Sequence, residues 1–153
     1  MSDESILARV QTDMTAAMKA RDAATLSTLR MLKTALMEAR TKKPRDSELS
    51  SDEEIEVLQR YARKRRETIE ELRRVGREDL VAREEREITV TERYLPTRMS
   101  DDELRAIVRE AVASTGATSA KEMGKVIGAV MARVKGRADG AIVSRLVKEA
   151  LGL

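Results

Sequence analysis

The chain has 153 residues, of which 37% are charged, and a formal net charge of +3 at pH 7. Its only aromatic residues are Tyr61 and Tyr94, so the core must be aliphatic, which favours an all-α fold. The absence of cysteine and histidine excludes a disulfide framework, a thiol nucleophile, a histidine base and the usual zinc sites. The acidic start and the lack of an apolar run of roughly 18 residues predict a soluble cytoplasmic protein.

Residues 1–95 are predicted to form four helices. The first covers about residues 3–20, and the second runs from an N-cap at Asp22 to about Arg40. Residues 41–50 lack periodicity and contain Pro44, so they predict a mobile loop and the first site of proteolysis.

The third predicted helix is long and strongly charged. A capping box of Ser50 and Glu53 opens it, and Gly76 ends it. Seven basic and seven acidic residues, many at i,i+4 spacing, indicate a solvated surface with weak ion pairs, even at the basic run 63–66. An apolar seam runs along it through Ile55, Leu58, Ala62, Arg65, Ile69 and Leu72. The fourth helix covers about residues 77–94, and Pro96 breaks the chain.

Three shorter helices are predicted after Pro96. Ser100 with Glu103 and Ser119 with Glu122 form capping boxes, and Asp139 caps the last helix. We therefore predict an N-terminal four-helix part, residues 1–95, followed by a small three-helix C-terminal domain, residues 96–153. Residues 1–95 hold 20 basic and 20 acidic residues, whereas residues 96–153 hold 10 and 7, so the excess (10 − 7 = +3) belongs to the C-terminal part.

The sixth predicted helix carries glycine and lysine together on one face. On a helical wheel Lys121, Lys125, Gly128 and Ala132 lie opposite the apolar side, with Gly124 on the flank. A glycine inside a helix costs about 1 kcal/mol relative to alanine, so these positions predict the close approach of another group. That group is either another helix of the same protein or a nucleic-acid backbone neutralised by the lysines.

Five segments, in order over nearly the whole chain, resemble the GatB/YqeY family and specifically its free-standing YqeY-like members. They are residues 29–33 (LRMLK), 76–80 (GREDL), 94–96 (YLP), 123–128 (MGKVIG) and 135–140 (KGRADG). The resemblance implies an N-terminal helical bundle and a small domain similar to the tail of the B subunit of glutamine-dependent aminoacyl-tRNA amidotransferase. In that enzyme the tail is implied to hold the tRNA body, while the chemistry occurs elsewhere.

The family label also implies a carbon–nitrogen ligase that uses glutamine as amido-N-donor. The residues give this label no active site, since no glutaminase signature, Walker-type phosphate loop or metal-ligand spacing is visible. The pairs Glu53–Glu54 and Glu84–Glu85 are interpreted as solubilising. We therefore predict no catalytic residues, no metal and no cofactor, although the family label leaves enzymatic activity open.

The favoured prediction is a noncatalytic, tRNA-associated helical protein, with tRNA and an amidotransferase or aminoacyl-tRNA-related enzyme as its partners and no membrane. The predicted RNA-binding residues are Lys121, Gly124, Lys125, Gly128, Arg133, Lys135, Gly136 and Arg137. Without aromatic residues near this surface, recognition by shape is expected rather than base stacking. The alternative is a protein-interaction module that docks on an enzyme through the seam of the third helix without binding RNA.

Overall fold

The structure, a computed structural model, describes residues 4–153. These residues form seven α-helices and one 3-10 turn, with no strand. The helices are α1 (Ile6–Lys19), α2 (Ala23–Thr41), α3 (Ser51–Arg74), α4 (Glu78–Glu92), α5 (Asp101–Thr115), α6 (Met123–Val134) and α7 (Gly140–Ala150). The predicted all-α fold class is confirmed. Two compact units divide between Leu95 and Pro96, with α1–α4 in the first and α5–α7 in the second.

Side-chain caps fix where most of the helices begin. At the start of α3 the Glu53 N–H donates to Ser50 Oγ over 3.1 Å, and the Ser50 N–H donates to Glu53 Oε1 over 3.0 Å. Ser100 and Glu103 make the same reciprocal pair before α5. The predicted box at Ser119 instead opens the 3-10 turn Ala120–Glu122, in which the Glu122 N–H donates to the Ser119 carbonyl, and α6 begins only at Met123.

The N-terminal unit is held by an aliphatic core to which all four helices contribute. In it α1 packs on α2, α3 packs along α4, and α2 contacts both α3 and α4. The core residues are Ile6, Val10, Ala17, Leu29, Leu32, Leu36, Leu58, Val90 and Tyr94. Leu58, Ala62 and Ile69 of the α3 seam are buried inside this unit. The prediction that the seam offers a docking surface is therefore wrong at these positions, because α2 and α4 already cover it.

The charged side of α3 packs against α4 through ion pairs. Arg65 lies within 3.6 Å of Glu84 and 3.4 Å of Glu87, and Arg66 lies 2.6 Å from Glu92. Glu56–Arg60 keeps the predicted i,i+4 spacing, with both side chains mostly exposed. Glu84 is thus not a simple solubilising residue, because its carboxylate is largely covered and faces the partly buried Arg65 guanidinium.

Glu54 is also a correction to the sequence analysis. It is 3% exposed, and its carboxylate accepts hydrogen bonds from the Ile6 and Leu7 N–H groups at 3.1 and 2.9 Å. These N–H groups lie in the first turn of α1 and have no acceptor within that helix. Glu54 therefore caps α1 from a distant helix rather than facing solvent.

The C-terminal unit packs α5, α6 and α7 around a second aliphatic core. Its buried residues are Leu104, Val108, Ala111, Ala117, Val126, Val130, Val134, Ala138, Val143, Leu146 and Val147. The segment before α5 is tied to the turn after α6, since the Met99 N–H donates to the Arg137 carbonyl over 2.9 Å. Among residues 4–153, no helix combines the length and apolar character needed to span a bilayer.

Candidate nucleic-acid interface

One face of α6 is open to solvent and carries small or basic residues. Val126, Val130 and Val134 are buried against α5 and α7, while Gly124, Lys125, Gly128 and Ala132 are exposed. Lys121, in the 3-10 turn before α6, is exposed as well. We call the set Lys121, Gly124, Lys125, Gly128 and Ala132 the glycine–lysine face.

The two glycines on this face do not serve the packing of their own unit. A Cβ atom added at Gly124 or Gly128 would meet no heavy atom within 4 Å, and neither residue has a positive φ. Neither close packing nor an unusual backbone conformation therefore requires glycine at these positions. The alternative was that another helix of the same protein packs against these glycines, and no helix of the C-terminal unit does so.

The predicted basic residues fall into two groups. Lys121, Lys125 and Lys135 are exposed and make no hydrogen bond or ion pair through their side chains among residues 4–153. Arg133 instead turns towards α5, where its guanidinium lies 2.7 Å from the Glu110 carboxylate. Arg137 donates from Nε to the Thr97 carbonyl over 2.9 Å. The structure thus places three lysines with uncommitted side-chain ammonium groups and two arginines that already have partners.

The turn after α6 fixes the position of Lys135. Lys135 ends the helix in the left-handed conformation, with φ of 35°, and Gly136 follows with φ of 81°. Glycine suits the second position because it has no Cβ to clash at positive φ. Arg137 accepts a hydrogen bond from the Met99 N–H and donates one to the Thr97 carbonyl, so this turn is a defined extension of the surface beyond α6.

A comparison with protein-family models identifies the family. The model described as Yqey-like protein matches residues 7–151. The chain belongs to the YqeY-like family. The resemblance found in its five segments is therefore confirmed. A comparison with curated proteins gave no match.

The carboxyl groups of this YqeY-like chain that have shifted pKa values owe them to caps and ion pairs. The Lys43 ammonium and the Ser50 backbone lower the pKa of Glu53 to about 2. A hydrogen bond with Thr25 lowers the pKa of Asp22, and the Arg77 guanidinium lowers that of Asp79. In the described part of the chain, no group of three or more acidic residues could hold a metal ion.

Sequence reasoning on this YqeY-like chain missed the partners of the two arginines. Glu110 lies 23 residues before Arg133, and Thr97 lies 40 residues before Arg137. Helical periodicity can place Arg133 to one side of the glycine–lysine face, but only the packing of α5 on α6 shows which acid it meets. The sequence patterns do not show which helices pack against each other.

Proposed function

We propose that this YqeY-like protein is a noncatalytic, tRNA-associated protein whose C-terminal unit contacts the RNA backbone through the glycine–lysine face. Lys121, Lys125 and Lys135 would neutralise phosphates, and Gly124 and Gly128 would admit the backbone close to the helix. In this role the protein positions RNA, alone or for an amidotransferase or related enzyme.

The observation that carries the proposal is the open space over Gly124 and Gly128 beside lysines without intramolecular partners. Gly128, inside α6, costs about 1 kcal/mol of helix stability relative to alanine, and packing within the unit does not offset it. A partner that needs close approach would give the glycines a role. Adjacent ammonium groups favour an anionic partner over an apolar helix.

The mode of contact follows from the residue types. Both tyrosines belong to the N-terminal unit, so the glycine–lysine face has no aromatic platform for a base. Lysine contacts with phosphates carry no sequence information. We therefore expect recognition of the folded shape of tRNA, with strong salt dependence and little sequence preference.

The resemblance of residues 96–153 to the tail of the amidotransferase B subunit supports the same assignment, because that tail is implied to hold tRNA. The carbon–nitrogen ligase label of the wider family is not part of the proposal.

The test is tRNA binding by fluorescence anisotropy at several salt concentrations. The double variant Lys121→Ala/Lys125→Ala should bind more weakly, and its slope of log affinity against log salt should be shallower by about 2, since each lost phosphate contact removes about 1. The matched control is Arg109→Ala/Lys148→Ala, which removes the same charge from exposed positions on α5 and α7.

Equal effects in the two double variants would show nonspecific attraction and contradict the proposed face. Absence of tRNA binding by the unaltered protein, together with recovery of a nuclease-resistant protein complex, would favour the alternative of an interaction module. Since Leu58, Ala62 and Ile69 of the α3 seam are buried, such a module could not use the seam at these positions.

A further inference from the structure

A groove between α2 and α4 forms a cavity of about 330 Å³ in the N-terminal unit. Small side chains of α2, namely Ala24, Ser27 and Thr28, form one wall. Arg83 and Arg86 of α4 line the other, together with Arg93, the residue that follows the end of α4. We call this cavity the α2–α4 groove. It lies outside the glycine–lysine face and belongs to the other unit of the chain.

The three arginines lack the ion pairs that other arginines of the same unit make. Arg65, Arg66 and Arg73 each have a carboxylate oxygen within 4 Å. None of the three groove arginines has one among residues 4–153, and all three are exposed. This occurs in a unit with 20 acidic residues, so unpaired arginines are not a result of scarce acids. Exposed guanidinium groups without an ion pair are available to form bidentate hydrogen bonds with a phosphate or carboxylate group.

One acid lines the groove, and it already has an ion-pair partner in Arg65, which it shares with Glu84. Glu87 is buried, with its carboxylate 3.4 Å from the Arg65 guanidinium. Asp22, at the start of α2, acts on Arg93 only at longer range than an ion pair. The groove therefore keeps a positive balance, with three arginines against the single lining carboxylate.

The spacing of the arginines indicates a ligand with two anionic ends. Arg83 and Arg86 are one turn apart on α4, whereas Arg93 lies seven residues beyond Arg86, about 10 Å along the helix axis. Between them the walls are Ala24 and the buried Val90. The Ser27 hydroxyl makes no hydrogen bond within the described chain and can serve a ligand oxygen.

We propose that the α2–α4 groove binds a small molecule with two phosphate-type groups joined by an apolar body. Arg83 and Arg86 hold one group, Arg93 holds the other, and the body lies against Ala24 and Val90. The volume lies at the lower end of the range of small-molecule sites, so the ligand is compact.

The experiment compares three probes on the full chain by calorimetry and by NMR of backbone amides. The probes are 1,6-hexanediphosphonic acid, hexylphosphonic acid and inorganic phosphate, all at the same ionic strength. The bisphosphonate should bind at least about tenfold tighter than the monophosphonate, because a second charge-assisted contact contributes about that factor. The amide shifts should be confined to the groove walls of α2 and α4. Equal affinity for all three probes would overturn the two-ended ligand.

Two variants test the site itself. Arg83→Gln/Arg86→Gln should lower bisphosphonate affinity about a hundredfold, whereas the control Arg45→Gln/Arg74→Gln, with the same charge change at exposed positions outside the groove, should not. Ser27→Leu fills the groove without changing charge and should abolish binding, while the helical circular-dichroism spectrum stays unchanged. If the arginine variant and its control lose the same bisphosphonate affinity, the binding is due to general surface charge and not to the groove. Binding of a short oligonucleotide but of none of the three probes would overturn the small-molecule assignment.

Discussion

Adding a single methyl group at Gly128, by replacing it with alanine, tests the proposed interface. Gly128→Ala should stabilise the protein by up to about 1 kcal/mol, because alanine is the better helix former and its Cβ meets nothing within 4 Å. The same change should lower tRNA affinity, since the methyl group occupies the space proposed for the backbone. Urea denaturation and fluorescence anisotropy measure the two effects.

The control for this change is Gly116→Ala. Gly116 ends α5 with φ of 69°, where a side chain is strained, so alanine there should destabilise by about 1 kcal/mol. A destabilised Gly128→Ala would mean that its helix face is covered in solution. Unchanged tRNA affinity would remove the glycine from the proposed contact.

Replacing Glu54 should destabilise the fold more than replacing most other acidic residues of the chain. Glu54→Ala removes the acceptor of two N–H groups of α1 in a buried setting and should cost about 3 kcal/mol. Glu54→Gln keeps one acceptor oxygen, so its stability should lie between that of the unaltered protein and that of Glu54→Ala. Glu56→Ala, two residues further along α3 but exposed, should change stability by less than about 0.5 kcal/mol. Similar unfolding midpoints for Glu54→Ala and Glu56→Ala would contradict the capping role.

Glu53 should give the stability of the protein a specific dependence on pH. Its pKa is lowered from 4.5 to about 2, first by the hydrogen bond from Lys43 and then by the Ser50 cap. A lowered folded-state pKa means that the stabilisation is complete above the unfolded value and is lost as pH falls from about 4.5 to about 2. Glu53→Gln should therefore lower Tm at pH 7 and lower it by much less near pH 2. A Tm difference that is the same at both pH values would contradict this assignment.

At the level of the helices, sequence patterns predicted where elements begin and which face turns inward. Ser50 and Ser100 marked helix starts because their capping residues are local in sequence. The same patterns misjudged Glu54, because nothing near it in sequence shows that it meets the first turn of α1, 47 and 48 residues away. The glycine–lysine face follows from spacing alone, whereas its arginine partners and the α2–α4 groove depend on which helices lie side by side.

The connection between α2 and α3 is more constrained than its composition suggests. Arg40 lies 2.8 Å from Glu48, and Lys43 Nζ donates to the Glu48 carbonyl over 2.9 Å and pairs with Glu53 over 2.6 Å. Leu49 packs against the core of the unit. The tryptic positions in this segment are Lys42, Lys43 and Arg45. The Lys43 side chain contacts both Glu48 and Glu53, and the peptide bond between Lys43 and Pro44 is a poor trypsin substrate.

Limited trypsin digestion should therefore cut first after Arg45, which is exposed. Lys43→Ala should speed this cut, because it removes the contacts that hold the segment to Glu48 and Glu53. Mass spectrometry of early fragments identifies the site, and Lys42→Ala, at an exposed neighbour, is the control. Initial cleavage within α3 or α4, with Arg45 protected, would show that the segment is packed more firmly than its contacts imply.

At the scale of the whole chain, the division between Leu95 and Pro96 predicts that residues 96–153 fold alone. Their core is self-contained, since α5, α6 and α7 each pack on the other two. The fragment 96–153 should unfold cooperatively with a stability of a few kcal/mol at most, as expected of so small a unit. Circular dichroism with thermal and urea unfolding measures this.

A fragment that begins at Met99 should be less stable than one that begins at Pro96. It lacks Thr97, whose carbonyl accepts the hydrogen bond from Arg137. Weak, noncooperative helicity in both fragments would show that the C-terminal helices depend on residues 4–95.

The placement of Tyr61 and Tyr94 gives the chain a spectroscopic asymmetry. Both rings lie in the N-terminal unit, where Arg65 and Arg9 stack over them at 4.9 and 5.1 Å. Near-ultraviolet dichroism and intrinsic fluorescence therefore report on that unit alone, while far-ultraviolet dichroism reports on the helices of both. If the two units melt separately, the melting curve recorded by near-ultraviolet dichroism will differ from the one recorded by far-ultraviolet dichroism, and no label is needed to see it.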